Sequence, residues 1–376
     1  MSSYFDFFCK NIESEEANNT EQITGTCYSL CPEEEIKLRT VLHLVHILEV
    51  WNGQRQLVKS YSRSAADSNM AIPHLLRPYS VLTNTVEHLL FDITRRVDVP
   101  VSTVYDYVND RLRAVRQDMT IQRLPPEECV CLLEPMIRFY VYYGYELSNL
   151  PLKDYDPVLN KKYLLECIKW HLSCCDTIAK TQGKIDQLSG FLTNMNLSSN
   201  DKQTLVNDHT LIESLYILCN LDDLHPLFRY VSLPKDFRRQ PKLQLAYKIA
   251  TANFEGNYIK VCRLADKLCP LLYCALMTYL PALQRRGLQV MSHAYNSQRL
   301  TVPSSVLARW MRFGTEQEAE FVAAHYGLNI DGAAVRFYKT DFKTDALLHT
   351  TKNQDIKKKF DLLSMIDVFT YKSDKW

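Results

Sequence analysis

Glycine is scarce, with 10 residues among 376. That argues against a fold built on many tight hairpins and against a glycine-rich loop that cradles phosphates. An excess of charge of one sign is missing too. The chain sets 44 Lys and Arg against 43 Asp and Glu, a net of +1. No whole-molecule field draws in nucleic acid, so any such binding has to come from a local patch. No stretch approaches the roughly 18 apolar residues of a membrane span. The opening MSSYFDFFCKNIESEE is short, aromatic and then acidic, unlike the basic-then-apolar order of a secretory signal. The common catalytic strings are absent: no GxxxxGK before Ser or Thr, no HExxH, no GxSxG and no GxGxxG. No repeat of fixed period is visible, so a regular tetratricopeptide array is not supported.

What remains is an ordinary globular composition, 46% hydrophobic and 23% charged, in a chain long enough for two or three packed units. The 12 Cys are scattered, mostly inside apolar, helix-like runs such as those around Cys129, Cys167, Cys219 and Cys274. They are expected to be reduced thiols packing as small hydrophobes in a cytosolic or nuclear protein.

Residues 1–24 read as a disordered, acidic N-terminus. From there the pattern is helical. Pro32 before Glu33, Glu34 and Glu35 starts a helix: Pro lacks a donor that would be orphaned there, and the carboxylates face the positive end of the dipole. Val41, Leu44, Val45 and Leu48 extend it, and Gly53 ends it. Pro78 opens a helix with Leu82, Val86, Leu89 and Ile93 on one face, and Val104, Val108, Leu112, Val115 and Met119 make the next stripe. Further helices are predicted over 127–148, 158–181, 203–220, 241–254, 257–268 and 271–296, with 182–202 a long loop. After Leu300 come a short helix, a second helix capped by Thr315 with Glu318 and stopped at Gly327, and a hairpin through Asp331-Gly332. That order is a winged helix, 301–345. A tail, 346–376, places Ile356, Phe360 and Leu363 on one helical face. The fold class expected is all-α: a helical array over 25–300 capped by the winged helix.

Five ordered blocks carry a resemblance: Gly25–Pro32 with its acidic helix start; Val58-Lys59-x-Tyr61-x-Arg63-Ser64-Ala65-Ala66; Arg77-Pro78 with VLTNTVEHLL; YDYVNDRLRAVRQDMTIQ at 105–122; and LLEPMIRFYVYYGYEL at 132–147. The chain resembles the SAC/GANP family, the yeast suppressor-of-actin protein of messenger-RNA export and its animal relative, germinal-centre-associated nuclear protein. The resemblance implies a helical-repeat, proteasome-lid (TPR- or PCI-like) array with a winged helix and no enzymatic activity or cofactor. It implies a winged-helix, helical-repeat (PCI-type) partner, a small acidic subunit, RNA or DNA held non-specifically, and nuclear and cytoplasmic residence in mRNA export. With no Phe-Gly-repeat extension and no long recruiting helix at the C-terminus, the chain is expected to be of the short animal branch. The family associates that branch with centrosome duplication and the mitotic spindle, hence with centrosomal partners.

Candidate sites follow. Arg111, Arg113 and Arg116, interleaved with Asp106, Asp110 and Asp118, make either an ion-paired network between helices or a phosphate-binding ridge. Lys59, Arg63 and Arg77 admit the same two readings. The wing offers Arg336, Lys339 and Lys343, and the tail Lys357, Lys358 and Lys359. Glu316, Glu318 and Glu320 oppose the approach of phosphates, so the second winged-helix helix, with Phe321 and with Phe337 of the hairpin, is read as a protein-docking face. Cys27, Cys31, His43 and His46 have the wrong spacing for a common zinc finger, and a hydrogen-bonded turn at Cys27–Cys31 is expected instead.

Overall fold

The computed structural model describes residues 23–51, 53–62, 71–182, 208–350 and 365–370. The chain is predominantly helical, and it divides into two compact units. The first holds the described residues as far as Tyr140, together with 161–182 and 365–370. The second holds 141–160 and 208–350.

In the first unit, α1 (Glu33–Val41) is followed by a single 3-10 turn (Ile47–Glu49) and a minimal hairpin, β1 (Val50–Trp51) with β2 (Gln54–Arg55). The expected run from Pro32 to Gly53 is therefore broken. His43 adopts φ 54°, and Leu44 N–H bonds back to the Arg39 carbonyl, a helix stop with His in the place that glycine usually takes. Of the apolar spacing, Val41 and Leu44 face solvent, Val45 is half-buried and Leu48 is buried beyond the turn, which brings Glu49 to Arg39. α2 (Tyr79–Glu87) runs on through a π-helical turn (His88–Asp92) and a 3-10 turn (Ile93–Arg95). α3 (Val101–Gln122) buries Val104, Val108, Leu112, Val115 and Met119, the stripe expected from spacing. α4 (Pro126–Glu146) and α5 (Pro157–Gln182) contribute to both units. α15 (Met365–Thr370) belongs to the first unit, where Phe369 is buried 6.4 Å from Phe139.

The second unit stacks α6 (His209–Leu218), α7 (His225–Ser232), α8 (Lys235–Arg238), α9 (Pro241–Phe254), α10 (Tyr258–Leu264), α11 (Pro270–Met277) and α12 (Leu280–Ala294). α7 and α8 fall between the helices predicted over 203–220 and 241–254, where none is predicted. The single helix expected over 271–296 is interrupted at Thr278 and Tyr279. Then come β3 (Thr301–Pro303), α13 (Ser304–Met311), α14 (Glu316–His325), β4 (Asn329–Asp331) and β5 (Ala334–Arg336). The sheet order is β3-β5-β4, all antiparallel, with Val335 opposite Val302 and Ile330. β3 has no period-2 signal of its own; it is a strand because β5 pairs with it. Leu307, Met311, Val322, Tyr326, Val335 and Phe337 fill the core beneath. Gly327 takes φ +87° where an added Cβ would stand 2.3 Å from the Asp341 carbonyl oxygen, so only glycine fits that stop. The loop over 183–202 and the Ile356, Phe360, Leu363 face lie outside the described residues.

Candidate nucleic-acid and docking interface

α3 meets the segment 25–77 through Asp110, Arg111, Arg113 and Asp118. Asp118 is fully buried. It accepts Lys59 Nζ at 2.5 Å and Arg77 Nε at 2.7 Å. One turn on, Gln122 Oε1 accepts Gly25 N–H at 2.8 Å, while Gln122 Nε2 donates to the Arg77 carbonyl at 2.9 Å. Gly25 is required by this approach: a Cβ there would lie 2.4 Å from the Leu76 carbonyl oxygen.

Glu49 is the second hub. Its Oε1 accepts Val58 N–H at 3.1 Å, Tyr107 OH at 3.2 Å and Arg111 Nη2 at 3.3 Å; its Oε2 accepts His46 N–H at 2.9 Å and Arg39. Burial alone would raise this carboxyl, but the backbone N–H groups of His46 and Val58 and the guanidiniums of Arg111 and Arg39 outweigh it and hold it below its ordinary value. Burial and the Arg111 charge lower His46, whose neutral Nδ1 accepts Leu48 N–H. Burial and the Glu49 charge push the Tyr107 hydroxyl up, so it stays a donor.

The arginines of the predicted ridge are thus placed one by one. Arg111 is buried between Glu49 and Asp110, the latter at 2.5 Å. Arg116 reaches Glu166 at 3.3 Å. Arg113 lies 3.8 Å from the Tyr61 ring centroid and 5.0 Å from that of Tyr163, and Arg116 lies 5.3 Å from the same Tyr163 centroid. A phosphate would have to compete with a carboxylate at Arg111 and at Arg116. Arg111 and Arg116 are ion-paired, and Arg113 lies against two tyrosine rings.

Cys27 and Cys31 lie in a hydrogen-bonded turn, with Cys27 Sγ donating to the Ser29 carbonyl at 3.4 Å and Ser29 Oγ to that of Cys31 at 2.6 Å. Burial, first of all, and the Glu35 charge push the Cys31 thiol up to about 12. His43 and His46 are not in a helix, and among the described residues no cluster of His, Cys, Asp and Glu has the geometry to hold a metal ion.

In the 301–345 block, Arg336 is paired with Asp331, whereas Lys339 and Lys343 are exposed and have no acidic partner among the described residues. Lys357, Lys358, Lys359 and Arg63 fall outside the described residues. On α14, Thr315 Oγ1 accepts Glu318 N–H at 3.1 Å, but the Glu318 carboxylate takes Gly314 N–H at 2.6 Å rather than that of Thr315. Glu316 is exposed, Glu320 half-buried, and Phe321 is 61% exposed. Phe337 is a correction: it is fully buried in the core of the block, because alternation along β5 turns it inward with Val335.

The model of the SAC3/GANP family matches residues 30–332, most of the chain. The chain belongs to the SAC3/GANP family. It is 29% identical over 82% of its length to "Protein xmas" of Drosophila melanogaster, and 25% identical over 90% to "SAC3 family protein B" of Arabidopsis thaliana. It is 23% identical over 86% to "SAC3 family protein 1" of Schizosaccharomyces pombe. It spans 15%, 20% and 32% of those relatives' own lengths. In this SAC3/GANP chain some of the residues that carried the resemblance, Lys59, Tyr61, Arg77 and part of the 105–122 run, fasten segment 25–77 to α3. Glu49, the hub for Arg39, Tyr107 and Arg111, was missed. The signal available was a lone acid in the apolar run Ile47–Trp51.

Proposed function

We propose that this chain is a non-enzymatic scaffold acting in nuclear mRNA export. Its 301–345 block works as a winged helix on a helical-repeat array over 25–300 and docks a PCI-type, winged-helix partner braced by a small acidic subunit. Family membership is what implies export. The observation that carries the docking reading is α14, the second helix of a strand–helix–helix–hairpin block: it exposes Glu316 and Phe321 and contains no Lys or Arg. Such a helix is repelled by phosphates and suits a protein surface. Lys339 and Lys343 on the wing supply a modest, non-specific contact to RNA or DNA.

Affinity purification of the full chain from dividing cells, with nuclease treatment and mass spectrometry, tests this. The expected result is a helical-repeat, winged-helix protein with a small acidic subunit, released by Phe321→Asp or Glu316→Lys. Centrosomal and spindle proteins in place of that pair would support the role in centrosome duplication instead. A chain that stays monomeric with every such partner overturns the docking reading.

A further inference from the structure

α7 is amphipathic and faces the wrong way. Arg229 and Tyr230 turn inward: Arg229 forks onto the buried Glu213, Nη2 to Oε1 at 2.7 Å and Nε to Oε2 at 3.1 Å. The Tyr230 ring stacks on Tyr247 at 4.0 Å between centroids. Pro226 is buried and Leu227 half-buried, but a stripe of large apolar residues points outward. Leu224, Phe228 and Val231, at spacings of four and three, are 56%, 71% and 47% exposed. Asn253 Nδ2 donates to the Leu221 carbonyl at 2.9 Å, which brings the end of α9 beside the start of α7, and there Phe254 is 68% exposed. An apolar stripe on a helix normally faces the core; one held outward by a buried ion pair beneath it marks a contact surface.

The charges around the stripe select its occupant. At the N-terminal end the acids are engaged: Asp222 holds Arg286 at 2.6 Å, and Asp223 caps His225 N–H at 2.9 Å. At the other end Asp236 is paired with Arg239 at 3.0 Å, but Lys235 is exposed with no acidic partner among the described residues, and Arg238 Nε is buried with no acceptor. The C-terminal end of the stripe is left with uncompensated positive charge, while exposed Asp223 and Glu255 keep the other end acidic. We infer that the Leu224–Phe228–Val231 stripe docks an acidic amphipathic helix of a partner protein, with apolar residues at helical spacing against the stripe and Asp or Glu facing Lys235 and Arg238. None of these residues belongs to the 301–345 block, so this surface is separate from the one proposed above.

The test places the photo-crosslinking residue p-benzoylphenylalanine at position 228 of the full chain in dividing cells and sequences the crosslinked peptide. The expected product is a protein segment with apolar residues at i, i+3 or i+4 and i+7 and an excess of Asp and Glu. Its yield should fall about tenfold with Val231→Asp and about threefold with Lys235→Glu. Phe228→Ser should leave the melting temperature of the purified chain within about 1 °C of the parent, as for a surface change. Crosslinks confined to the chain itself, to lipid or to nucleic acid, a crosslinked segment without an acidic excess, or no crosslink at all would overturn the proposal. So would a melting temperature lowered by several degrees, since the stripe would then be packed at home.

Discussion

Removing the Asp118 carboxylate would leave Lys59 and Arg77 buried without a counter-charge. Asp118→Ala should therefore cost about 3–5 kcal/mol, measured by urea unfolding. Arg116→Glu, which sets a carboxylate against Glu166, should unfold the first unit rather than merely weaken RNA binding, and far-UV circular dichroism separates the two outcomes. The Glu49 carboxyl is held below its ordinary 4.5, so the unfolded chain takes up that proton first. Its contribution is complete above about pH 4.5 and is lost as the pH falls through the lower native value. His46 is lowered from 6.5, and its part likewise erodes as the pH falls below about 6.5. An acid titration of stability should show both steps, and Glu49→Gln should flatten the lower one while weakening the fold at neutral pH. The sequence listed these arginines and acids with two readings open. Which reading holds depends on a partner such as Glu49, 62 residues from Arg111, and local spacing says nothing about that distance.

Among helices, the scarcity of glycine has a structural consequence. His43, Arg123 and Arg312 each take a positive φ at a helix end, at 54°, 50° and 57°. A non-glycine residue there costs roughly 1–2 kcal/mol. His43 is exposed, so His43→Gly should stabilise the chain by up to about 1 kcal/mol once the greater freedom of glycine in the unfolded state is subtracted, read as a rise in the urea midpoint. Arg312 offsets its own cost by reaching Asp266 at 2.5 Å and the Tyr273 hydroxyl at 2.7 Å. α2, α3, α4 and α9 were legible because each carries its own repeating apolar face. α1 was read too long, because apolar spacing does not tell a buried face from an exposed one. β3, only three residues long, needed its partner β5 to be a strand at all.

On the scale of the whole molecule, near-zero net charge and the engagement of Arg111, Arg113, Arg116 and Arg336 leave Lys339 and Lys343 as the unpaired cations among the described candidates. Binding to single-stranded RNA should accordingly depend weakly on salt. The Lys339→Ala, Lys343→Ala double variant should reduce the slope of log K against log salt by about 1.4, at roughly 0.7 per phosphate contact. Fluorescence anisotropy across a salt series measures it.

The sequence by itself determined the helical class, the family and the periods of the long helices. Each of these rests on relations between residues a few positions apart, or on strings that can be compared directly. The tertiary structure alone decided that segment 25–77 is strapped to α3 through two buried carboxylates, that Phe337 is core, and that α7 turns its apolar stripe to solvent. Those outcomes depend on which distant groups compete for the same interior. A buried carboxylate such as Glu213 is costly without a counter-charge, and Arg229 of α7 supplies it.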